Sequence, residues 1–308
     1  MERTEESDPL TLASGRAPVT DAPTVAARRP LAPTLLLLAV TAIYGWTFVV
    51  VKKAIGEYPV LPFLGLRFAV AALLLLLVLR RWPALPSWRQ GLPVAAALAV
   101  GYLFQTEGMV TISPGIAGLL TGLFVVFTPL LDRLLFASRL RLATVVSIAL
   151  ALVGTGLLTG GLAGFRVGDL LVVLAALAFA VQIVLLSHGR GSVADMSLVQ
   201  LLVCAVVFLL LGAGPQLRYP PVFGSVALAL AITGALASGL ALLAQTWAQR
   251  RMSASRAGLV LAAEPGFALL AAVLLVGERL TQIQLLGALV LFLAIIGHEL
   301  VGARGPGV

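Results

Sequence analysis

The sequence predicts an all-α integral membrane protein with ten transmembrane helices, arranged as two inverted five-helix repeats. Three observations predict it. Charged residues make up only 11% of the chain while 60% is hydrophobic. The hydrophobic residues fall into stretches long enough to cross a bilayer. The second half of the chain repeats features of the first, with its positive charges on the opposite side. A soluble globular domain carries about 25% charged residues, and five of the 13 acids (Glu2, Glu5, Glu6, Asp8, Asp21) lie in the first 31 residues, so the remainder is poorer still. The net charge of +8 and pI of about 10.7 read as basic loops retained on one side of a membrane, so no nucleic-acid partner is expected. The apolar runs of Leu, Val, Ala and Gly lack the alternation that an outer-membrane strand requires, which leaves helices. Cys204, the single cysteine, lies inside such a run, so neither an intramolecular disulfide nor a cysteine metal site is available. With only His188 and His298 besides, no metal and no cofactor is expected.

Residues 1–32 are rich in Pro, Ala, Ser, Thr and charge and read as a disordered cytoplasmic tail. The first apolar run follows Arg28 and Arg29 and is long enough to span, so it reads as a retained helix rather than a signal peptide. Charged, Pro and Gly punctuation then divides the chain into spans of about 20 residues. The first, 33–51, ends at Lys52-Lys53, and the second, 61–79, ends at Arg80-Arg81. The third, 91–111, follows Arg89 and meets the fourth, 115–136, at Ser113-Pro114-Gly115 without any charge between them. Arg139 and Arg141 precede the fifth, 141–159; the sixth, 168–187, lies between Arg166 and Arg190; the seventh, 196–213, precedes Arg218. The eighth, 224–247, ends before Arg250-Arg251, the ninth, 255–276, before Glu278-Arg279, and the tenth, 282–301, before a short cytoplasmic tail at 303–308.

Orientation follows from the basic residues, which cytoplasmic loops retain. With the N-terminus inside, 15 of the 21 Lys and Arg fall on the inner side and five (Lys52, Lys53, Arg166, Arg218, Arg279) on the outer, with Arg67 inside a span. Both termini are therefore expected in the cytoplasm and the chain in the cell membrane. A shift of 140 residues superimposes Gln105-Thr106 on Gln245-Thr246, Ala117-Gly118-Leu119 on Ala257-Gly258-Leu259, Phe127 on Phe267 and Arg139-Leu140 on Arg279-Leu280. The repeat divides the chain into units at 33–160 and 168–302, and five spans per unit force opposite orientations. The loop charges agree: Arg80, Arg81 and Arg89 after span 2 face only Arg218 after span 7, while the uncharged loop after span 3 corresponds to Arg250, Arg251 and Arg256 after span 8. Inverted repeats are a recurrent device of secondary transporters, which bind substrate near the midplane between the repeats.

Tyr44-Gly45-Trp46-Thr47-Phe48, continuing to Lys52-Lys53 and then Pro62-Phe63-Leu64-Gly65-Leu66-Arg67-Phe68, resembles the opening of the EamA type of the drug/metabolite transporter superfamily. Glu264-Pro265, and later Gly277-Glu278-Arg279-Leu280-Thr281 with Gln284-Leu285-Leu286-Gly287, is similar to the family's closing motif. The resemblance covers roughly residues 33 to 302. It implies ten helices in two inverted repeats, a central cavity lined mainly by spans 1, 3, 4, 6, 8 and 9, and export of amino acids, metabolites or drugs. One departure is that Ala137-Ser138-Arg139 stands where the second half has Gly277-Glu278-Arg279. Another is that Thr128-Pro129 lies one helical turn later than Glu264-Pro265 in the repeat register.

Ionisable residues at membrane depth are functional candidates by default. Glu264 falls about ten residues into span 9, near the midplane at 1.5 Å per residue, where a protonatable acid suits a proton-coupled exporter. The alternative is a structural Glu that bonds backbone groups freed by Pro265. Arg67 and Glu107 lie at similar depth near the outer ends of spans 2 and 3, and read as an ion pair or gate. The alternative frees Arg67 for a substrate carboxylate when that gate opens. Because a ligand cavity sets a few polar groups against apolar walls, Trp46, Tyr102, Gln105, Gln182, Gln245 and Glu264 are the substrate-binding candidates. Interhelical hydrogen bonding or an interfacial aromatic role is the competing reading of each. Pro129 and Pro265 mark helix kinks at comparable places in spans 4 and 9, and paired interruptions point to a transporter site.

The expected function is a secondary transporter exporting a small organic substrate by alternating access, with protons as the coupling ion and the bilayer as its surroundings. A passive channel or facilitator is the alternative. An enzyme is not expected: Leu236-Ala237-Ser238-Gly239 lacks the Gly-x-Ser-Gly loop of an intramembrane protease, and there is no Walker loop. Oligomeric state is not legible in the sequence.

Overall fold

The computed structural model describes residues 31–136, 142–159, 166–214, 219–252, 257 and 260–303. Of the expected tails, 1–32 and 303–308, all but residues 31, 32 and 303, which are helical, lie outside the described residues, as do the segment Ala137-Ser138-Arg139, and Arg141, Arg218, Ser253, Arg256 and Gly258-Leu259. Among the described residues the regular structure is helical, with no strand.

The helices are α1 (Leu31–Glu57), α2 (Val60–Leu79), α3 (Leu85–Thr111), α4 (Pro114–Phe136), α5 (Leu142–Thr159), α6 (Val167–His188), α7 (Val193–Gly212), α8 (Gly224–Gln249), α9 (Glu264–Val276) and α10 (Gln282–Ala303). Among the described residues, seven of them, α1 to α4 and α6 to α8, are long and apolar enough to cross a membrane. Ten full spans were expected; α9 is a shorter apolar helix, as is the described apolar part of α10, Gln282–Ala294.

Two boundaries differ from expectation for identifiable reasons. Helix α1 runs past Lys52-Lys53 because the Lys52 ammonium reaches the end of α3, donating to the Met109 carbonyl at 2.6 Å and the Val110 carbonyl at 3.1 Å. A long side chain that finds acceptors at a helix terminus does not have to end its own helix. Helix α3 starts at Leu85, before Arg89, with Pro86 in the first turn where no backbone donor is missed. Two spans are interrupted. Helix α4 breaks at Gly122-Leu123 into Pro114–Thr121 and Phe124–Phe136, and the ninth span turns at Ala262-Ala263 before Glu264. Glu264 therefore opens a helix instead of sitting in the middle of one. Pro265 follows that break in the first turn, whereas Pro129 lies inside its helix, seven residues beyond the α4 break.

Helix α8 contains a π-helical stretch, Ala231–Ala241, between α-helical ends Gly224–Leu230 and Leu242–Gln249.

The principal packing runs between the two halves of the chain. Helix α3 packs on α6 and α7, α2 on α7 and the π stretch of α8, α1 on α8 and α9, α4 on α6 and α9, and α5 on α10. Small residues permit this closeness, as is usual where helices associate in lipid. At Gly45 of α1 a Cβ would stand 2.7 Å from the Ala268 backbone nitrogen of α9. Buried Phe63, Phe68 and Phe208 fill the interior, while Leu73, Leu77 and Val78 of α2 and Leu142 and Leu152 of α5 are exposed, as side chains facing lipid tails are.

Candidate functional site

The helical period decides which side chains reach the interior. On α1, Tyr44, Thr47, Phe48 and Val51 recur at i, i+3, i+4 and i+7 and so share one face. On α3, Leu98, Tyr102, Gln105 and Met109 do the same, and on α6, Phe179, Gln182 and Ile183. These faces converge on one cavity with an empty volume of about 650 Å³ including its opening. Arg67 of α2, Thr121 and Phe124 of α4, Leu242 and Gln245 of α8, and Leu261 and Glu264 at the ninth-span break complete the lining.

Four pairs of lining residues lie 140 positions apart: Tyr102 and Leu242, Gln105 and Gln245, Thr121 and Leu261, Phe124 and Glu264. The two helix breaks, Gly122-Leu123 and Ala262-Ala263, are separated by the same interval.

The polar groups are held by neighbours. The Tyr44 hydroxyl donates to Gln245 Oε1 at 2.7 Å, Gln105 Nε2 donates to Thr121 Oγ1 at 3.1 Å, and Gln182 Nε2 donates to Gln200 Oε1 at 2.9 Å. Tyr102 stands edge-on between Phe68, at 5.0 Å, and Phe179, at 5.4 Å. Arg67 Nε donates to Ser238 Oγ of the π stretch at 2.8 Å, and its guanidinium lies 4.8 Å from the Tyr102 ring centre. Glu264 is only 7% exposed, yet among the described residues its carboxyl makes no hydrogen bond or ion pair. Because the turn at Ala262-Ala263 leaves Glu264 in the first turn of α9, its carboxyl sits at the positive end of that helix.

Of the six substrate-binding candidates, Tyr102, Gln105, Gln182, Gln245 and Glu264 line this cavity. Trp46 does not, and is 51% exposed. Two residues after Tyr44 the helix has turned about 200°, which carries Trp46 to the outside of the bundle. The expected Arg67–Glu107 pair is absent too. Arg67 meets Tyr102, and Glu107, five residues beyond Tyr102, is rotated about 140° away and forms no ion pair among the described residues. The sequence reading missed Thr121, Phe124 and Phe179 as lining residues; the 140-residue shift that pairs Phe124 with Glu264 was the available signal for one of them. Among the described residues no group of three or more His, Cys, Asp or Glu is placed to hold a metal.

Contacts between the halves tie both ends of the bundle. At one end, Glu278 accepts from the Ser113 hydroxyl and from the Gly115 backbone N–H at 3.0 Å, and Arg166 donates to the Thr111 carbonyl at 3.2 Å. At the other, buried Asp195 pairs with Arg81 at 2.7 Å and accepts from Ser87 at 3.1 Å.

Comparison with known proteins agrees with this architecture. The EamA-like transporter family matches residues 32–160 and again 166–298. The chain is 31% identical over 264 residues to an uncharacterized transporter of Archaeoglobus fulgidus, covering 84% of this chain and 83% of that protein. It is 29% identical over 276 residues to the uncharacterized inner membrane transporter YedA of Escherichia coli K12, covering 84% and 88%. A protein of known crystal structure, 20% identical, shares the fold with a TM-score of 0.66 over 89% of this chain and 98% of its own.

Proposed function

Since the chain belongs to the EamA-like transporter family, we propose that it is a secondary exporter of a small organic substrate, an amino acid, metabolite or drug, working by alternating access with Glu264 as the proton-coupling group. The observation that carries this reading is Glu264 itself: a buried carboxyl in the central cavity, at the start of a broken helix, with no partner among the described residues. Discontinuous helices at the midplane are where secondary transporters bind substrate and coupling ions, and ionisable residues there are otherwise too costly to retain.

The two units, 33–160 and 168–302, are read as inverted repeats. The matched helix breaks and the four lining pairs 140 residues apart support this. So does the packing, because exchanging each helix for the one five places on maps α3 on α6 onto α8 on α1, α1 on α9 onto α6 on α4, and α3 on α7 onto α8 on α2. The excess of Arg on one side supports a cell-membrane protein with both termini in the cytoplasm.

The test is transport by the purified protein in proteoliposomes, with substrates drawn from a metabolite screen. Preloaded substrate on the far side should accelerate uptake, as a carrier requires and a passive channel does not. An imposed proton gradient should drive net movement in the wild type. Glu264→Gln should retain counterflow and lose the pH dependence. A Gln variant that is folded and still responds to the gradient as the wild type does removes Glu264 from coupling.

A further inference from the structure

Arg67 is 2% exposed and lines the cavity, so its charge lies in the interior of the bundle. A buried cation is expensive unless an anion compensates it. Among the described residues no carboxylate lies within ion-pair distance: Glu107 is turned away, and Glu264 shares the cavity without reaching it. Its neighbours are neutral. Ser238 takes the Nε hydrogen at 2.8 Å, and the rings of Tyr102 and Phe68 lie 4.8 and 5.7 Å from the guanidinium carbon. These contacts hold the group in one place and leave its formal charge unmatched. Phe48, Phe124, Phe179 and Leu98 supply apolar wall to the same cavity.

A guanidinium fixed at one edge and backed by an aromatic face offers its terminal N–H groups to a planar oxyanion in the paired geometry that carboxylates favour. We infer that Arg67 is the specificity-determining residue of the cavity and that the transported substrate is a small organic acid. Its carboxylate docks on Arg67 and its apolar body lies against the phenylalanine and leucine side chains. One cation selects one negative charge. Ser238 is a positioning residue that sets the guanidinium plane from the π stretch of α8. This inference rests on the reading of the cavity as the transport site, and it names the substrate class for that site.

Binding to the purified full-length protein in detergent tests it without requiring transport. Phenylacetate and phenylacetamide have nearly the same shape and differ in charge. The wild type should bind the acid at least about tenfold more tightly than the amide, a gap of about 1.4 kcal/mol, and Arg67→Gln should bind the two with equal affinity. Ser238→Ala, which keeps the charge and frees Nε, should reduce the acid-to-amide ratio several-fold without abolishing it, and provides the answer if Arg67→Gln does not fold. Equal affinities in the wild type, no binding of the acid, or an unchanged ratio in the folded variants overturns the inference. Failure of counterflow with the acid preference intact overturns the carrier reading and leaves the anion site standing.

Discussion

Trp46 and Tyr102 are both aromatic residues at membrane depth, and helical geometry sends them in opposite directions. Tyr102 packs between Phe68 and Phe179 and faces Arg67 across 4.8 Å, whereas Trp46 is half-exposed on the outside of α1. Trp46→Ala should therefore leave counterflow within about twofold of wild type, since loss of one lipid-facing ring is usually a small effect. Tyr102→Ala removes a cation–π partner from a buried charge and should slow counterflow about tenfold; rates in proteoliposomes at equal protein content check both. The interior charges differ in how they are compensated. Asp195 has Arg81, Ser87 and the Ala84 N–H, Arg67 has a hydroxyl and two rings, and Glu264 has nothing among the described residues. That gradation sets a carboxylate neutralised by its partners apart from two buried charged residues that lack a counter-charge among the described residues. It could not be read from residue type, because all three are charged residues within or beside apolar runs.

At the scale of single elements, the broken helices govern the site. The turns at Gly122-Leu123 and Ala262-Ala263 let Thr121, Phe124, Leu261 and Glu264 approach one cavity. The start of α4 is held from the other half by Glu278, whose carboxylate takes both the Ser113 hydroxyl and the Gly115 N–H. Glycine is required at 115 for this, because a Cβ there would lie 2.8 Å from both carboxylate oxygens. Gly115→Ala should displace the carboxylate and lower stability by about 2 kcal/mol, the scale of a lost charge-assisted hydrogen bond. If the loss acts through Glu278, the same substitution should be nearly neutral in a Glu278→Ala background, a double-mutant cycle read by thermal unfolding in detergent. Sequence signals located Ser113-Pro114-Gly115 as a helix junction, since Ser caps and Pro fits the first turn. They did not reveal that the Glu of Gly277-Glu278-Arg279 would occupy that junction, because the two segments are 163 residues apart. The π stretch of α8 was equally hidden, its Ala, Gly and Leu residues being ordinary for any membrane helix.

At the scale of the molecule, the two halves interlock. Helices α1, α2, α3, α4 and α5 each find principal partners in the second half, so neither half has its own core. Residues 1–165 expressed alone should fail to accumulate as a folded, detergent-stable protein, while co-expression with 166–308 should restore a complex; size-exclusion chromatography of tagged halves distinguishes the outcomes. A stable, monodisperse first half would contradict the interlocked packing. Any alternation of access must likewise move groups of helices drawn from both halves. The sequence by itself determined that the chain is helical and membrane-embedded, where most spans lie, and that the halves repeat at 140 residues, because bilayer thickness, hydrophobicity and basic loops act locally and leave a direct record. The period of the helix also placed Tyr102 and Gln105 on one face. Only the tertiary structure decided that these meet Gln182, Gln245 and Glu264, that Trp46 turns outward, and that Arg67 faces a cavity instead of Glu107. Those outcomes depend on the rotation of each helix about its axis and on its neighbours across the other half, and an all-round apolar helix carries no pattern that declares which side faces inward.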